Sequence, residues 1–483
     1  MSKLTPSRRK LLLGGLAAGV GAGTGLFGGM GPLQRLAWAD GHSPRYYIFC
    51  YFHGGWDTLL SLDPRHPGEW SPSELSDGLI ETGYGSLQDP RLNDGFDAQP
   101  FLTDAGVALG PYMGDLGRDP EMAGKVCIVR GMSMETLTHE AGRRRFLTGR
   151  TPSGLLARGS SASTWLASHL EDGEPGDDGV PIPNLSVAVE SFNGDHLPAH
   201  AAALGVTSVA DLMRTLRAGP SSVASWEEAA LHELLQHEAA CPGALDSPLW
   251  RQAEEGRLNS VDMVDAQLHR HFDFGADTPE MRALREFYGA YEPTDWRYSG
   301  REGLPPLAAA TAVEAIKKGV SRVVSVELAS GLDSHGQSWA TEHGPKQEAG
   351  FNLVARMMED LGRTEHAAGG TYLDYTTLIG FSEFSRTARL NVYGGRDHSL
   401  TGACFLAGGN IVGGRVLGAS SSVGMEPTVM NLTTGESLEP SEHAEGVAEV
   451  VKPEHVLQAL FHDAGMTEDE ADLRVAPLAA LFG

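Results

Sequence analysis

Acidic and histidine side chains stand just after apolar segments of this chain, in a pattern that suits the binding of a divalent metal. Taken singly, each such residue is more often a helix cap or a surface-loop residue. Their shared position after predicted strands makes the set informative, because carboxylate and imidazole ligands together suit zinc, manganese or another divalent ion. The residues that show the pattern are His53, Asp57, His139, Asp333, His335, Glu383, Asp397 and His398.

The elements that must position these side chains are four apolar runs rich in β-branched and aromatic residues. They predict buried strands at Tyr46–Phe52, Val126–Val129, Val323–Leu328 and Tyr375–Phe381. Helical patterns at Leu307–Lys318 and Gly350–Leu361 lie beside the last two runs. Continuous apolar strands that alternate with helices predict an α/β fold with a mostly parallel sheet covered on both faces. Ligands of such sheets bind beyond the carboxyl ends of the strands, where the acidic and histidine residues stand.

The middle of the chain has a different character. From about residue 205 to 295 the sequence is mostly helical in pattern, polar and acidic. We interpret this stretch as a helical insertion within one large domain that spans residues 40–483.

The N-terminus has the order of an export signal. Arg8 and Arg9 directly precede an apolar run rich in leucine, alanine and glycine, Leu11–Gly31, and the segment ends at Ala37-Trp38-Ala39. Paired arginines, a weakly apolar core and a small-x-small cleavage site predict a twin-arginine (Tat) signal peptide at residues 1–39, cleaved after Ala39. The expected partner is the Tat translocase, and the expected location is the periplasm or the exterior of the cell.

The charge of the chain excludes one class of partner. The signal segment carries five positive charges and no acid, so its removal changes the formal net charge of −26 to about −31. A chain this acidic has too little positive charge to displace counterions from a nucleic acid. No other segment is apolar and long enough to predict a membrane span after cleavage. Tat substrates are translocated folded, which fits a metalloprotein loaded in the cytoplasm.

Four short motifs carry a family resemblance over essentially the whole mature chain. They are Gly54-Gly55-Trp56-Asp57, Asp333-Ser334-His335, Ser382-Glu383-Phe384-Ser385-Arg386-Thr387 and Gly395-Arg396-Asp397-His398. They resemble the recurring motifs of the Tat-exported sulfatase-like proteins, a group labelled as a domain of unknown function. That group in turn resembles the alkaline phosphatase and sulfatase superfamily, which implies an α/β fold around one or two metals.

The resemblance implies a ligand set. Asp57 is similar to the superfamily's first metal-binding Asp, and Asp397-His398 resembles the stretch around its last metal-binding His. Glu383-Phe384 stands where the superfamily has an Asp-His pair, so a carboxylate remains and an imidazole is lost. The implied cofactor is a divalent metal, zinc first, with manganese or calcium as alternatives. The implied ligands are Asp57, Glu327, Asp333, His335, Glu383 and His398, with Asp397 and His139 nearby.

The nucleophile is left open by the same comparison. The segment His139–Arg150 resembles the sulfatase signature, but His139 stands where that signature has its modified cysteine. A formylglycine mechanism is therefore excluded at this position. His139 is a candidate metal ligand, or a nucleophile or base, and the hydroxyl of Thr138 is a candidate nucleophile. Arg143 and Arg386 are candidates to clamp the oxygens of an anionic substrate.

Two functions follow from these residues. The first is an exported metal-dependent hydrolase of phosphate or sulfate esters, and the same site would also suit transfer of a phospho-group to an envelope glycan. The alternative is a non-catalytic binding or assembly protein of the cell envelope that keeps the sulfatase-like fold and the metal.

Overall fold

The computed structural model describes most of the chain after the signal segment. The described residues are 44–66, 79–171, 179–217, 224–247, 250, 263–264, 266–290, 304–438, 448–467 and 470–482. The arginine pair Arg8-Arg9 and the cleavage site at Ala39 lie outside these residues, so the predicted signal peptide stays a prediction.

Eight strands form the main sheet of the described residues. In chain order they are β1 (Tyr46–Phe52), β2 (Val126–Ser133), β3 (Asn184–Val187), β4 (Leu204–Val206), β5 (Val323–Ala329), β6 (Thr376–Phe381), β7 (Thr401–Ala407) and β8 (Arg415–Leu417). The four strands predicted from apolar runs are present, within a few residues of the expected bounds.

The spatial order of the strands is β8-β2-β7-β6-β1-β5-β3-β4. Strand β1 lies in parallel between β6 and β5, whereas β7 pairs antiparallel with both β2 and β6. The α/β fold with a mostly parallel sheet is thus confirmed, with one reversed strand that the sequence pattern did not indicate. Antiparallel neighbours need no crossover helix, so the chain between β6 and β7 is free to form the loops that carry Glu383 and His398.

The helices cover both faces of this sheet. The described α-helices are α1 (Gly114–Arg118), α2 (Pro120–Ala123), α3 (His139–Thr148), α4 (Ala162–Glu171), α5 (Val209–Leu216), α6 (Ser225–Ala239), α7 (Pro242–Asp246), α8 (Pro279–Tyr288), α9 (Leu304–Lys317), α10 (Gly344–Arg363) and α11 (Pro453–Ala464). No described helix combines the length and the apolar character that crossing a membrane requires.

Strand β1 lies in the interior of the main sheet, and all seven of its residues are buried. Because side chains alternate along a strand, Ile48 and Phe52 enter the core beneath α9 and α10, while Phe49 and Tyr51 enter the core that contains residues of α3, α4 and α11. Burial on both faces explains why β1 is a continuous apolar run rather than an alternating one.

The stretch from 205 to 295 contains helices α5 to α8 in its described parts. Leu212, Leu216 and Tyr288 from α5 and α8 are buried in the same core as β1, whereas Trp226 of α6 is 71% exposed. The first and last helices of this segment therefore pack against the core. Whether the segment is a separate insertion stays a prediction.

Candidate metal centre

The ends of strands β5 and β6, on either side of β1, and the start of α3 lie together at one edge of the sheet. β5 leads into Asp333 and His335, β6 leads into Glu383, and His139 is the first residue of α3, which follows β2. A two-stranded ladder then pairs His398 with Arg386. Residues that are more than 250 positions apart in the chain are thus brought into one cluster.

The backbone at Gly54 lies close to the backbone of the loop that carries Asp333. Gly54, which follows His53 after the end of β1, has a φ of +114°, and a Cβ atom there would lie 2.6 Å from the backbone nitrogen of Asp333. The Gly54 N–H donates to Oε1 of Glu383 at 2.9 Å, and the Gly54 carbonyl accepts from Arg386. Only glycine fits this position without displacing the Asp333 loop.

Two imidazoles of the cluster are oriented by carboxylates. Nδ1 of His139 lies 2.6 Å from Oε1 of Glu383, and Nδ1 of His335 lies 2.8 Å from Oδ1 of Asp397. Burial raises the pKa of the Glu383 carboxyl, but the hydrogen bond from His139, a backbone hydrogen bond and the neighbouring imidazoles together lower it, and the hydrogen bond from His335 lowers the pKa of Asp397. Both carboxylates are therefore ionised acceptors, and each Nδ1 carries the hydrogen.

The third imidazole is oriented by a backbone carbonyl. Nδ1 of His398 donates to the carbonyl oxygen of Leu137 at 2.7 Å. A neutral imidazole whose Nδ1 carries the hydrogen has a lone pair at Nε2. Metal-binding histidines usually have this arrangement, in which an outer acceptor fixes the tautomer and the ring orientation.

All three Nε2 atoms face the carboxylate of Asp333. Nε2 of His335 and His398 lie 2.9 and 3.1 Å from Oδ1, and Nε2 of His139 lies 3.3 Å from Oδ2. The Nε2 atom of His139 is buried and has no hydrogen-bond partner among the described residues. Lone pairs of imidazoles and a carboxylate that point at one another repel unless a cation lies between them. The ligating atoms of His139, Asp333 and His398 all lie within 4.8 Å of one another, as binding of a single ion requires.

The charge of the Asp333 carboxylate is also stabilised. Burial raises its pKa, but the hydrogen bond and the positive charge of Arg386, whose Nη2 lies 2.8 Å from Oδ1, hold the pKa well below its ordinary value. For His139, burial lowers the pKa, but the hydrogen bond to Glu383 and the negative charges around the ring raise it overall. The surroundings thus favour the ionised form of Asp333, and they favour a positive charge, either a proton or a metal ion, at Nε2 of His139.

Phe384 lies beneath the imidazoles. Its ring is fully buried and lies 4.3 Å from the ring of His398 and 4.8 Å from that of His139, measured between centroids. The side chain that replaces the expected imidazole is therefore an apolar ring against which the histidines pack. His139 supplies an imidazole from α3 instead.

Two predicted ligands are not brought into the cluster. Asp57 is buried, and its Oδ2 atom accepts from Nε1 of Trp339 at 2.7 Å and lies 3.0 Å from Nε of Arg396. Glu327 lies 3.4 Å from Nδ1 of His53. Glu383 and Asp397 contact the ligating histidines through Nδ1, which makes them orienting residues rather than ligands in this arrangement.

The predicted substrate-binding arginines are both engaged. Arg386 is fully buried, and its guanidinium donates to the carbonyls of Gly54 and Gly55 as well as to Asp333. Arg143 lies 3.0 Å from Glu190, which Arg144 also contacts.

The predicted hydroxyl nucleophile lies next to the cluster. Thr138 precedes α3 and is exposed, and its N–H donates to the hydroxyl of Thr136. The neighbouring residue, His139, is the one that reaches the Asp333 carboxylate.

Comparison with known proteins places this geometry in a family. A family model described as "Protein of unknown function (DUF1501)" matches residues 47–436, which include all of the cluster. The chain belongs to the DUF1501 family. No curated protein matches the chain. The crystal structure of Ps i-CgsB in complex with k-i-k-neocarrahexaose has a TM-score of 0.34 and 9% identity to this DUF1501 protein, over 89% of this chain and 74% of that one.

Sequence reasoning missed three contributors to the site. The Leu137 carbonyl orients His398, and a backbone oxygen has no signature in a sequence. The Tyr51 hydroxyl donates to Oε2 of Glu383 at 3.1 Å, but in the sequence Tyr51 stands within an apolar strand and gives no sign of a polar role. Asn391 donates to Oδ1 of Asp397 at 3.0 Å, and its place in a loop before Gly394-Gly395 was the only available signal.

Replacing Glu383 by glutamine tests the role of an orienting residue. Glu383→Gln keeps the shape of the side chain but removes the charge that holds Nδ1 of His139. Loss of such outer partners weakens metal binding by about 10- to 100-fold, and we expect zinc affinity, measured by competition with a chelator, to fall within that range. Glu327→Gln is the matched control, because Glu327 pairs with His53 instead. A loss of affinity in the Glu327 variant alone would contradict the assignment.

Proposed function

We propose that this protein is an exported metal-dependent hydrolase of phosphate or sulfate esters. One observation carries the proposal: three imidazoles, each held at Nδ1 by an acceptor, aim Nε2 at the single carboxylate of Asp333. The N-terminal pattern around Arg8 and Arg9 supports export, and the motif resemblance to sulfatase-like proteins supports a small anionic substrate.

The residues present fit a divalent metal. His139, His335, His398 and Asp333 would hold it, and three imidazoles with one carboxylate suit zinc better than magnesium or calcium, which prefer oxygen ligands. When bound, such a metal polarises an ester oxygen and lowers the pKa of a water molecule. Of the roles open to His139, that of a ligand is best supported, because Nδ1 is held by Glu383 and Nε2 lies against Asp333.

The site is open on the side where a substrate would approach. The side chains of Asp333 and His335 are 47% and 45% exposed, whereas Glu383 and Arg386 behind them are fully buried. The buried residues hold the ligands in place, and the exposed edge leaves room for an ester group. A geometry fixed before the substrate arrives is the usual means by which such sites stabilise developing charge.

Positive charge beside the site supports an anionic substrate. Arg143 and Arg144 both contact the carboxylate of Glu190, so two guanidinium groups lie together at this corner of the site. The guanidinium of Arg143 lies 6.0 Å from the ring centroid of Tyr51, whose hydroxyl contacts Glu383. We infer that Arg143, rather than the buried Arg386, contacts the substrate oxygens.

A second candidate function is a non-catalytic metal-binding protein of the cell envelope. The observation that favours it is that both arginines predicted to bind substrate already have partners within the protein. Arg386 donates to two backbone carbonyls and to Asp333, and Arg143 pairs with Glu190. In this alternative the metal stabilises the fold or a binding surface without turnover.

Elemental analysis and an ester assay on the same preparation test the proposal. We expect purified mature protein to contain about one equivalent of zinc or a related ion and to hydrolyse 4-nitrophenyl phosphate or 4-nitrophenyl sulfate. His398→Ala should lose both properties, while His237→Ala, on the exposed surface of α6, should keep both. Metal without turnover would favour the second candidate, and folded protein that binds no added zinc would exclude both.

A further inference from the structure

A buried polar cluster lies behind the loops that carry the ligands. Its members are Asp57, Ser334, Trp339, His343 and Arg396, and each is less than 5% exposed. We call these five residues the Asp57 cluster. Charged groups this deeply buried are costly unless they are paired, and Asp57 and Arg396 form such a pair at 3.0 Å.

Arg396 anchors one ligand loop. It directly precedes Asp397 and His398, and its guanidinium donates to the carbonyls of Glu81, Thr82 and Thr387 besides its contact with Asp57. With its side chain held in this way, the backbone at residues 396–398 has little freedom to move.

Ser334 anchors the other ligand loop. It lies between Asp333 and His335, and its hydroxyl is 2.6 Å from Nδ1 of His343. The two loops also meet directly, since the N–H of Arg396 donates to the carbonyl of Ser334 at 3.4 Å. The position of each loop therefore depends on the other.

An irregular helical turn joins the two anchors. Trp339–His343 is a π-helical turn at the start of α10. Such turns re-aim side chains and occur often at functional sites. Here the first residue of the turn, Trp339, donates to Asp57, and the last, His343, contacts Ser334. One turn thus connects the Asp57–Arg396 pair to the Ser334 loop.

We propose that Asp57 is a positioning residue for the metal centre and not a ligand. It holds Trp339 and Arg396, and through them the two loops that present Asp333, His335 and His398. Metal ligands must be held to within about 0.5 Å of the productive geometry. A buried carboxylate that fixes the ligand loops therefore affects metal affinity without contacting the metal. The inference rests on the proposed metal centre.

Asp57→Asn and Ser334→Ala test this role with zinc and cobalt as probes. Asp63→Asn is the matched control, because Asp63 is also a buried carboxylate after β1, paired with Arg65 and Ser420 and not with a ligand loop. We expect zinc affinity to fall by about 10- to 100-fold in both test variants, with an altered visible spectrum of bound cobalt. The control should keep the natural affinity and spectrum. Equal affinity and equal spectra in the Asp57 and Asp63 variants would overturn the proposal.

Hydrogen exchange of metal-free protein separates this inference from the proposed function. Backbone amides in residues 332–337 and 394–400 should exchange faster in Asp57→Asn and Ser334→Ala than in Asp63→Asn. If the natural protein binds no zinc, the metal centre fails while the exchange result still decides whether the Asp57 cluster holds the loops. Unchanged exchange in both test variants would show that it does not. Ser334→Ala keeps the test decisive if Asp57→Asn does not fold, because it removes only a hydroxyl.

Discussion

Asp333→Asn is expected to abolish stoichiometric metal binding. Asp333 is the one carboxylate that all three Nε2 atoms face, and asparagine keeps its shape while removing its charge. The loss should exceed the 10- to 100-fold cost of removing an outer partner, so affinity should fall by about a hundredfold or more. Metal content after gel filtration and zinc affinity by chelator competition measure the effect.

The control for this variant is Asp104→Asn, which removes an exposed carboxylate from a loop. It should bind as much metal as the natural protein, because a single exposed carboxylate has no fixed partners to converge on an ion. Natural affinity in the Asp333 variant would show that the cluster is not the metal site. Loss of metal in both variants would indicate non-specific binding by the acidic surface.

Arg386→Met is expected to destabilise the fold more than any other single change at the site. The methionine side chain fills much of the same space but leaves the Gly54 and Gly55 carbonyls and the Asp333 carboxylate without their donor. The Asp333 carboxylate is 47% exposed and can be solvated, but leaving buried carbonyl groups without a donor costs about 1–3 kcal/mol. Urea unfolding, followed by circular dichroism, should show a free energy of unfolding lower by that amount.

Arg389→Met provides the comparison, because Arg389 is an exposed arginine of the same loop. Surface changes of this kind usually alter stability by less than about 0.5 kcal/mol. Similar stabilities of the two variants would mean that the contacts of Arg386 contribute little to the fold. In metal-free protein the Arg386 variant should also have a higher pKa at Asp333, because the guanidinium lowers that pKa in the natural protein.

Parts of the fold could be predicted from the sequence because their signal is local. Strands β1, β5 and β6 are buried on both faces, which requires an unbroken run of apolar residues. In helix α10 the apolar residues recur with the periodicity of a helix that packs one face against a core. By contrast β3, β4 and β8 have only three or four residues each, and β7 is Thr-Gly-Ala-Cys-Phe-Leu-Ala, whose small residues have weak strand preference.

The sequence also indicated where the candidate metal-binding residues would lie together. Residues after the carboxyl ends of parallel strands lie at one edge of the sheet, so Asp333, His335, His139 and His398, which all come after predicted strands in the chain, could be assigned to one site before their distances were known. Residue type and position after a strand were sufficient for this, because the geometry of the sheet does the rest.

Only the tertiary structure decided which of these side chains face one another. Asp57 follows β1 as a ligand would, but Trp339 and Arg396, about 280 and 340 positions away in the chain, occupy its carboxylate. The tautomer of His398 depends on a carbonyl at Leu137, which no residue letter encodes. A strand end fixes where a side chain starts, whereas its partners depend on rotamers and on packing between distant segments, and these are set only when the whole core has formed.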